Sequence, residues 1–152
     1  MFGSLVSCSF HVSVGTLHGA TPAPGFVVPA DVKLGQPFYY TDDLVVGVDR
    51  PTTFTPTDVQ TTAEPFYLSF TVVIDNETAT AFDPRKFVCS LAAGGHRATQ
   101  IVGDPKLEPP PTRLIPAGYK YKFQVAYGVD STTDLSMTVV VDDRHQPLRF
   151  AA

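Results

Sequence analysis

The sequence contains no tryptophan, only two cysteines and few charges, and each shortage excludes a class of structure or partner. Charged residues make up 17% of the chain and the formal net charge is −4, which opposes binding to nucleic acid or to an anionic membrane surface. No apolar run approaches the roughly 18 residues that a membrane-spanning helix needs. Without tryptophan, the Cys-Trp-Cys pattern of antibody domains does not apply. We therefore expect neither a nucleic-acid partner nor a membrane span.

Turn-forming and apolar residues, by contrast, are plentiful. The 152 residues include 14 prolines and 11 glycines, and 43% are hydrophobic, which is enough for the core of one domain. Frequent Pro and Gly divide a chain into short segments, and short segments favour strands over helices. No segment carries a helical apolar stripe of about ten residues or more. The composition therefore indicates an all-β protein.

The N-terminal segment "LVSCSFHVSV", residues 5–14, alternates between apolar and polar residues, as a half-buried strand does. Its apolar face would carry Val6, Cys8, Phe10, Val12 and Val14. A secretory signal needs a basic start and an unbroken apolar run, whereas the first basic residue here is Lys33. We therefore predict a strand. In an alternative interpretation, residues 5–8 are a bacterial lipobox whose cysteine carries lipid, which would require a longer chain before them.

The segment that follows, "GTLHGATPAPG", is rich in glycine and proline and predicts an extended linker. We accordingly divide the chain into residues 1–25, a strand-like arm with its linker, and residues 26–152, one β-domain. Two partners are open to the arm: its own domain, or the sheet edge of a neighbouring subunit.

The main body consists of predicted strands separated by turns. Three segments alternate most clearly, and their predicted inner residues are Phe66, Leu68, Phe70, Val72 and Ile74, then Tyr119, Tyr121, Phe123, Val125 and Tyr127, then Leu135, Met137, Val139 and Val141. Gly94 and Gly95 predict a hairpin turn, and the prolines at 109–111 exclude ladder pairing there. About seven to nine strands with such turns predict an immunoglobulin-like antiparallel β-sandwich.

Four stretches carry a resemblance to a known family: "LGQPFYYTDDLVVGV", "YLSFTVVIDNETATAF", "FVCSLAAGG" and "LIPAGYKYKFQV". From about residue 34 to residue 150 the chain resembles the telokin-like, immunoglobulin-fold family of small secreted bacterial antigens. The resemblance implies a β-sandwich that is exported and non-catalytic, and it supplies no binding residues. The arm and the lack of an evident export signal depart from that family.

The two cysteines, Cys8 and Cys89, both fall on predicted inner faces, and two interpretations stay open. If their strands face one another, a disulfide would close a loop of about 80 residues and contribute about 4 kcal/mol. Otherwise both are small buried hydrophobic residues. Burial beside Phe87 and Leu91 predicts an unreactive thiol at Cys89, because a nucleophilic cysteine needs exposure and a positive neighbour.

We predict no catalytic residue, metal ligand or cofactor. The four histidines, His11, His18, His96 and His145, lack metal-ligand spacing and are interpreted as surface residues. Two acidic pairs, 42–43 and 142–143, could share a calcium ion only if both lie at one end of the sandwich, and Asp is also a common turn residue. Residues 76–78 fit a glycosylation acceptor, which matters only in a secreted eukaryotic protein. The chain has neither a nucleophile elbow nor a glycine-rich phosphate loop.

Together these features predict a non-catalytic immunoglobulin-like module that binds a protein or a surface glycan, in an extracellular or cell-envelope location. The alternative comes from a different class: a structural subunit of an assembly, such as a decoration protein of a virion. In that alternative the N-terminal arm adds to the sheet edge of a neighbouring copy.

Overall fold

The computed structural model describes residues 27–58 and 64–152. The described residues form eleven strands, of which nine have three or more residues: β1 (Ala30–Lys33), β2 (Pro37–Tyr39), β3 (Leu44–Val48), β4 (Thr52–Thr53), β5 (Phe66–Asn76), β6 (Val88–Ala93), β7 (His96–Arg97), β8 (Thr99–Ile101), β9 (Tyr119–Val129), β10 (Leu135–Val140) and β11 (Leu148–Ala151). A single 3₁₀ turn, Pro84–Lys86, precedes β6. No helix within the described ranges is long and apolar enough to cross a membrane. The strand predicted at 5–14 lies outside these ranges.

The strands form two sheets that pack face to face. Sheet I has the order β1-β11-β10-β6-β7, and sheet II has the order β2-β3-β5-β9-β8, with β4 beside β5. Among the pairs in the described ranges, β1 with β11 is parallel and the others are antiparallel. This arrangement confirms the predicted immunoglobulin-like β-sandwich.

The core is one hydrophobic cluster to which both sheets contribute. The longest strands, β5 and β9, pair over eleven residues in the middle of sheet II, and their predicted alternation is confirmed from Leu68 to Ile74 and from Phe123 to Tyr127. Phe66 and Tyr119 were expected to face inward but are exposed. Each is the first residue of its strand, whereas the last residues of the same strands, Asn76 and Val129, are buried.

The chain enters sheet I at the end where β6 begins. Ala30 pairs with Leu148, Leu148 with Val139, and Val139 with Cys89, so these four residues form one row across the sheet. We call this the entry end of the sandwich. The segment before residue 27 therefore leaves the described domain at the same end as the first residues of β6.

The predicted hairpin at Gly94 and Gly95 is confirmed, but its second arm divides between the sheets. Both glycines have positive φ, +58° and +82°, as a two-residue turn of type I′ requires. After the turn, β7 pairs with β6 for two residues, and β8 then joins β9 in the other sheet. This change of sheet at Ala98 leaves most of the β6 edge without β7.

Candidate functional site

An apolar cavity of about 630 Å³ opens between the two sheets at the entry end, beside the edges of β6 and β9. Its volume falls within the range of about 300–1,000 Å³ that is typical of ligand-binding pockets. The apolar residues that line it are Pro84, Phe87, Val88, Ile101, Val102, Pro105, Leu107, Pro109, Pro110, Pro111, Phe123 and Val125, with Cys89 among them.

The cavity is open because the two outermost strands stop short of it. β6 pairs with β10 along its whole length, but β7 pairs only with Ala92 and Ala93. Within the part of the chain that the structure describes, no strand pairs with the outer edge of residues 88–90. On the opposite sheet, β8 likewise reaches only residues 126–128 of β9. A strand edge with free backbone N–H and C=O groups therefore lies directly beside an apolar cavity.

The outer wall of the cavity is a proline-rich segment, residues 104–111, which is held in place by polar contacts. The carbonyl of Glu108 accepts a hydrogen bond from the N–H of Gln124, at 3.0 Å. Asp104 accepts hydrogen bonds from the N–H groups of Thr57 and Lys106, and these bonds lower the pKa of its carboxyl. The wall is thus fixed without the ladder hydrogen bonds that prolines cannot make.

The polar groups near the cavity are poorly suited to chemistry. Burial raises the pKa of the Cys89 thiol to about 12, so it stays protonated near neutral pH, which is consistent with the unreactive thiol predicted from the sequence. Phe87 and Phe123 meet edge to face across the cavity wall, with ring centroids 5.7 Å apart. This surface can exclude water and bind apolar groups, while the open backbone of β6 can pair with a strand.

A second cluster, at the same end, joins the loops of the two sheets through His145. The Nε2 atom of His145 lies 2.9 Å from Oδ2 of Asp42, and its Nδ1 atom lies 2.7 Å from Oδ1 of Asp142. Its ring packs edge to face on Tyr40, whose hydroxyl donates a hydrogen bond to the carbonyl of Gln146. Tyr40 and Asp42 follow β2 of sheet II, whereas His145 lies between β10 and β11 of sheet I, so the cluster ties the sheets together.

His145 corrects one expectation, because it is not a surface histidine: only 8% of it is exposed. Its burial is possible because both ring nitrogens have carboxylate partners, so no polar atom is left unpaired. His96 is exposed, as expected, and lies beside Asp130. His11 and His18 lie outside the described residues.

The two acidic pairs do lie at one end of the sandwich, which was the condition set for a shared calcium ion. The histidine ring occupies the space between Asp42 and Asp142, and Asp143 pairs instead with Lys86. Within the described ranges, no group of three or more His, Cys, Asp or Glu side chains is placed to hold a metal ion. In the described ranges the hydrogen-bond partners of the His145 ring are carboxylate oxygens of Asp42 and Asp142, so the ring links a loop of sheet II to a loop of sheet I.

Asn76, the acceptor of the potential glycosylation site, is fully buried. Its Nδ2 donates hydrogen bonds to the carbonyls of Thr80 and Ile115, and its Oδ1 accepts from the N–H and the hydroxyl of Thr78. These four hydrogen bonds use the full capacity of the carboxamide. In the folded domain Asn76 thus organises the turn after β5 and has no free nitrogen for a glycan.

Of the two cysteines, the structure places Cys89 at the cavity, whereas Cys8 lies outside the described residues. For this part of the lining the sequence predicts only that the prolines at 109–111 do not pair in a ladder, because the apolar residues of 103–112 are separated by prolines and charges and show no periodicity. Val88 is apolar but exposed at the open edge, and its sequence neighbourhood does not predict this exposure.

No family model and no curated protein matches the chain. Two solved structures share its fold. One is a secreted protein of Mycobacterium tuberculosis, MPT63, with a TM-score of 0.60 and 13% identity over 82% of this chain and 98% of that chain. The other is an uncharacterized β-sandwich protein of Clostridium difficile 630, with a TM-score of 0.51 and 10% identity over 85% of this chain and 97% of that one. At such identities the likeness establishes the β-sandwich fold alone.

Proposed function

We propose that this chain is a non-catalytic, immunoglobulin-like interaction module that works outside the cytoplasm and binds an extended polypeptide along the open edge of its sandwich. The observation that carries the proposal is the apolar cavity of about 630 Å³ beside the unpaired edge at residues 88–90. The free edge supplies main-chain hydrogen bonds, and the cavity accepts every second side chain of a bound strand. Of the two partner classes open from the sequence, the lining favours a protein over a glycan, because a glycan needs many polar contacts.

The extracytoplasmic location is supported by the fold that the chain shares with a secreted mycobacterial protein. Membership of the telokin-like family of small secreted antigens is part of the same proposal, and its support is the order of the four motifs together with that fold. A direct test is the distribution of the protein between culture medium, cell envelope and cytosol in the cells that produce it. Recovery in the cytosol alone would refute the extracytoplasmic part of the proposal.

Binding is tested with a fluorescein-labelled decapeptide of alternating valine and threonine, titrated against the full chain by fluorescence anisotropy. We expect saturable binding that Val88→Arg weakens by about tenfold or more, because the change puts a charge at the cavity mouth. The side chain of Val88 is 57% exposed, so this change leaves the core intact.

The matched control is Tyr39→Arg, which changes another exposed apolar residue on β2, at the opposite edge of the sandwich. It should leave peptide binding unchanged. A peptide of the same composition with prolines at alternate positions should not bind, because proline cannot donate to a ladder. Equal weakening by both substitutions, or no binding by any variant, would contradict the proposed function.

A second candidate function is a structural subunit of an assembly, such as a virion decoration protein. The same open edge favours it, because an arm from a neighbouring copy would find both ladder partners and an apolar cavity there. Light scattering of the full chain at increasing concentration separates the candidates: a stable monomer supports the binding module, and a closed ring or larger oligomer supports the assembly subunit.

A further inference from the structure

The open edge of β6 and the N-terminal segment of the chain have complementary properties. At residues 88–90 the outer edge is not paired with any strand of residues 27–58 and 64–152, and an apolar cavity lies beside it. From Val6 to Val14 the predicted strand at 5–14 has apolar residues at every second position, with serines or histidine between them. A strand added to β6 would face the cavity on one side and water on the other, which is the pattern that this segment carries.

We infer that residues 5–14 of the same molecule pair with the outer edge of β6 as an added strand and bury their apolar face in the cavity, which sets Cys8 beside Cys89. This inference rests on the proposed function, because it takes the cavity to be a site for an extended polypeptide. It goes further by naming the occupant, so that the N-terminal segment competes with any external partner for the same edge.

The chain before residue 27 joins the described domain at the entry end, which is also the end where this contact would form. Ala30 and Cys89 lie in one row of sheet I and are separated by three strand spacings, or about 14 Å. Residues 15–26, which connect the segment to the described domain, can span up to about 40 Å when extended. The connection is therefore long enough for the segment to reach β6 of its own molecule.

The effective concentration of a tethered segment also favours pairing within one molecule over pairing with a neighbour. A short flexible linker gives an attached segment an effective concentration in the millimolar range, well above that of separate molecules in dilute solution. Apolar residues such as Phe10 would leave water on docking, which favours the docked segment and opposes the cost of ordering it.

The position of Cys8 makes the inference testable with the full chain. Directly opposed residues of neighbouring strands have Cβ atoms about 4.5–5.5 Å apart, close to the separation in a disulfide. At about pH 9 the Cys8 thiolate should attack oxidised glutathione, forming a mixed disulfide and releasing one glutathione thiol. The small thiolate fraction of Cys89, held next to Cys8, should then attack the Cys8 sulfur, form the Cys8–Cys89 bond and release the second glutathione thiol. Mass spectrometry of the protease-digested protein would identify the linked peptides in a monomer.

The control moves the cysteine by one residue. In the double variant Cys8→Ser with Ser9→Cys, the thiol lies on the polar face of the added strand and should form the bond with Cys89 at least about tenfold more slowly. Equal rates from positions 8 and 9 would overturn the docked strand, because an undocked segment has no preferred face. A disulfide that links Cys8 of one molecule to Cys89 of another would overturn the docking within one molecule.

A second measurement does not depend on the thiols. Phe10→Asp places a charge on the apolar face and should release the edge, so the valine–threonine decapeptide should bind this variant about tenfold more tightly than the unaltered chain. If the decapeptide binds both proteins equally, the cavity accepts a polypeptide but residues 5–14 do not occupy it, and only the further inference fails. If it binds neither, while the Cys8–Cys89 bond forms as expected, only the proposed external partner fails.

Discussion

At the residue scale, the surroundings of Tyr127 suggest a substitution that would stabilise the fold. Its side chain is almost fully buried, it packs edge to face on Phe70, and burial raises the pKa of its phenol. Its hydroxyl is buried without a hydrogen-bond partner in the part of the chain that the structure describes. Leaving such a group unpaired costs about 1–3 kcal/mol, so the ring stabilises the core while its hydroxyl opposes that gain.

We expect Tyr127→Phe to leave the free energy of unfolding unchanged or to raise it by about 1 kcal/mol, measured by urea denaturation. The matched control is Tyr40→Phe, which removes the hydroxyl that donates to the carbonyl of Gln146 at 2.6 Å. The control should destabilise the protein by about 1 kcal/mol, because it leaves that carbonyl unpaired. A loss of stability for Tyr127→Phe as large as that for Tyr40→Phe would contradict the unpaired hydroxyl.

At the scale of structural elements, the His145 cluster links two loops that no strand pairing connects. Burial alone would raise the pKa of the Asp142 carboxyl, but hydrogen bonds from the His145 ring and from the N–H groups of Arg144 and His145 outweigh it and hold the pKa below its ordinary value. A carboxyl whose pKa is lower in the folded state stabilises the fold above its unfolded pKa, about 3.9, and loses that contribution as pH falls through the folded value. The contribution of Asp142 to the tie between the sheets therefore weakens in acid, below about pH 4.

His145→Gln should lower the free energy of unfolding by about 2 kcal/mol at pH 7, because the largely buried Asp142 carboxylate and the half-exposed Asp42 carboxylate lose their shared partner. The difference from the unaltered chain should shrink as pH falls below about 3.9 and through the lowered pKa of Asp142, because the carboxyl then becomes protonated in both proteins. His96→Gln is the matched control, because His96 pairs with Asp130 at an exposed site and such pairs contribute about 0–1 kcal/mol. A difference for His145→Gln that stays constant between pH 7 and pH 3 would show that the carboxylates do not carry the effect.

Elements with a strong local pattern could be predicted from the sequence, and elements defined by distant contacts could not. In β10 apolar and polar residues alternate from Leu135 to Val139, and the Gly94-Gly95 pair favours a tight hairpin turn. β1 has only four residues after Pro29, and its parallel pairing with the far end of the chain leaves no local mark. The burial of His145 depends on Asp42, 103 positions away, so its sequence neighbourhood shows only a turn.

The cavity could not be predicted from the sequence either, because it forms where two strands end early. β7 and β8 have two and three residues, and their lengths follow from the change of sheet at Ala98 rather than from their composition. The sequence did indicate that Cys89 faces inward, since Phe87, Cys89 and Leu91 alternate along β6. It could not indicate that Cys89 faces a cavity that the described strands leave open.

At the scale of the whole molecule, the two sheets depend on one another. The hydrophobic cluster draws on Leu148 and Phe150 from sheet I and on Phe70 and Val72 from sheet II, and neither sheet has a second core. A domain with one shared core unfolds in a single cooperative transition. The absence of tryptophan from the chain makes this property easy to measure, because one introduced indole reports on one sheet without background.

Two single-tryptophan variants provide the probes, Thr138→Trp on the outer face of β10 in sheet I and Lys122→Trp on that of β9 in sheet II. We expect their urea denaturation curves to have the same midpoint and slope, because both report on the same transition. Adding Leu148→Ala, which truncates a fully buried side chain of sheet I, should lower the free energy of unfolding by about 3 kcal/mol for both probes. If the midpoint of the sheet II probe stayed in place while that of the sheet I probe moved, the sheets would unfold separately. The open edge would then belong to a sheet that can detach from its partner, and the cavity beside it would lose the rigid walls on which strand binding depends.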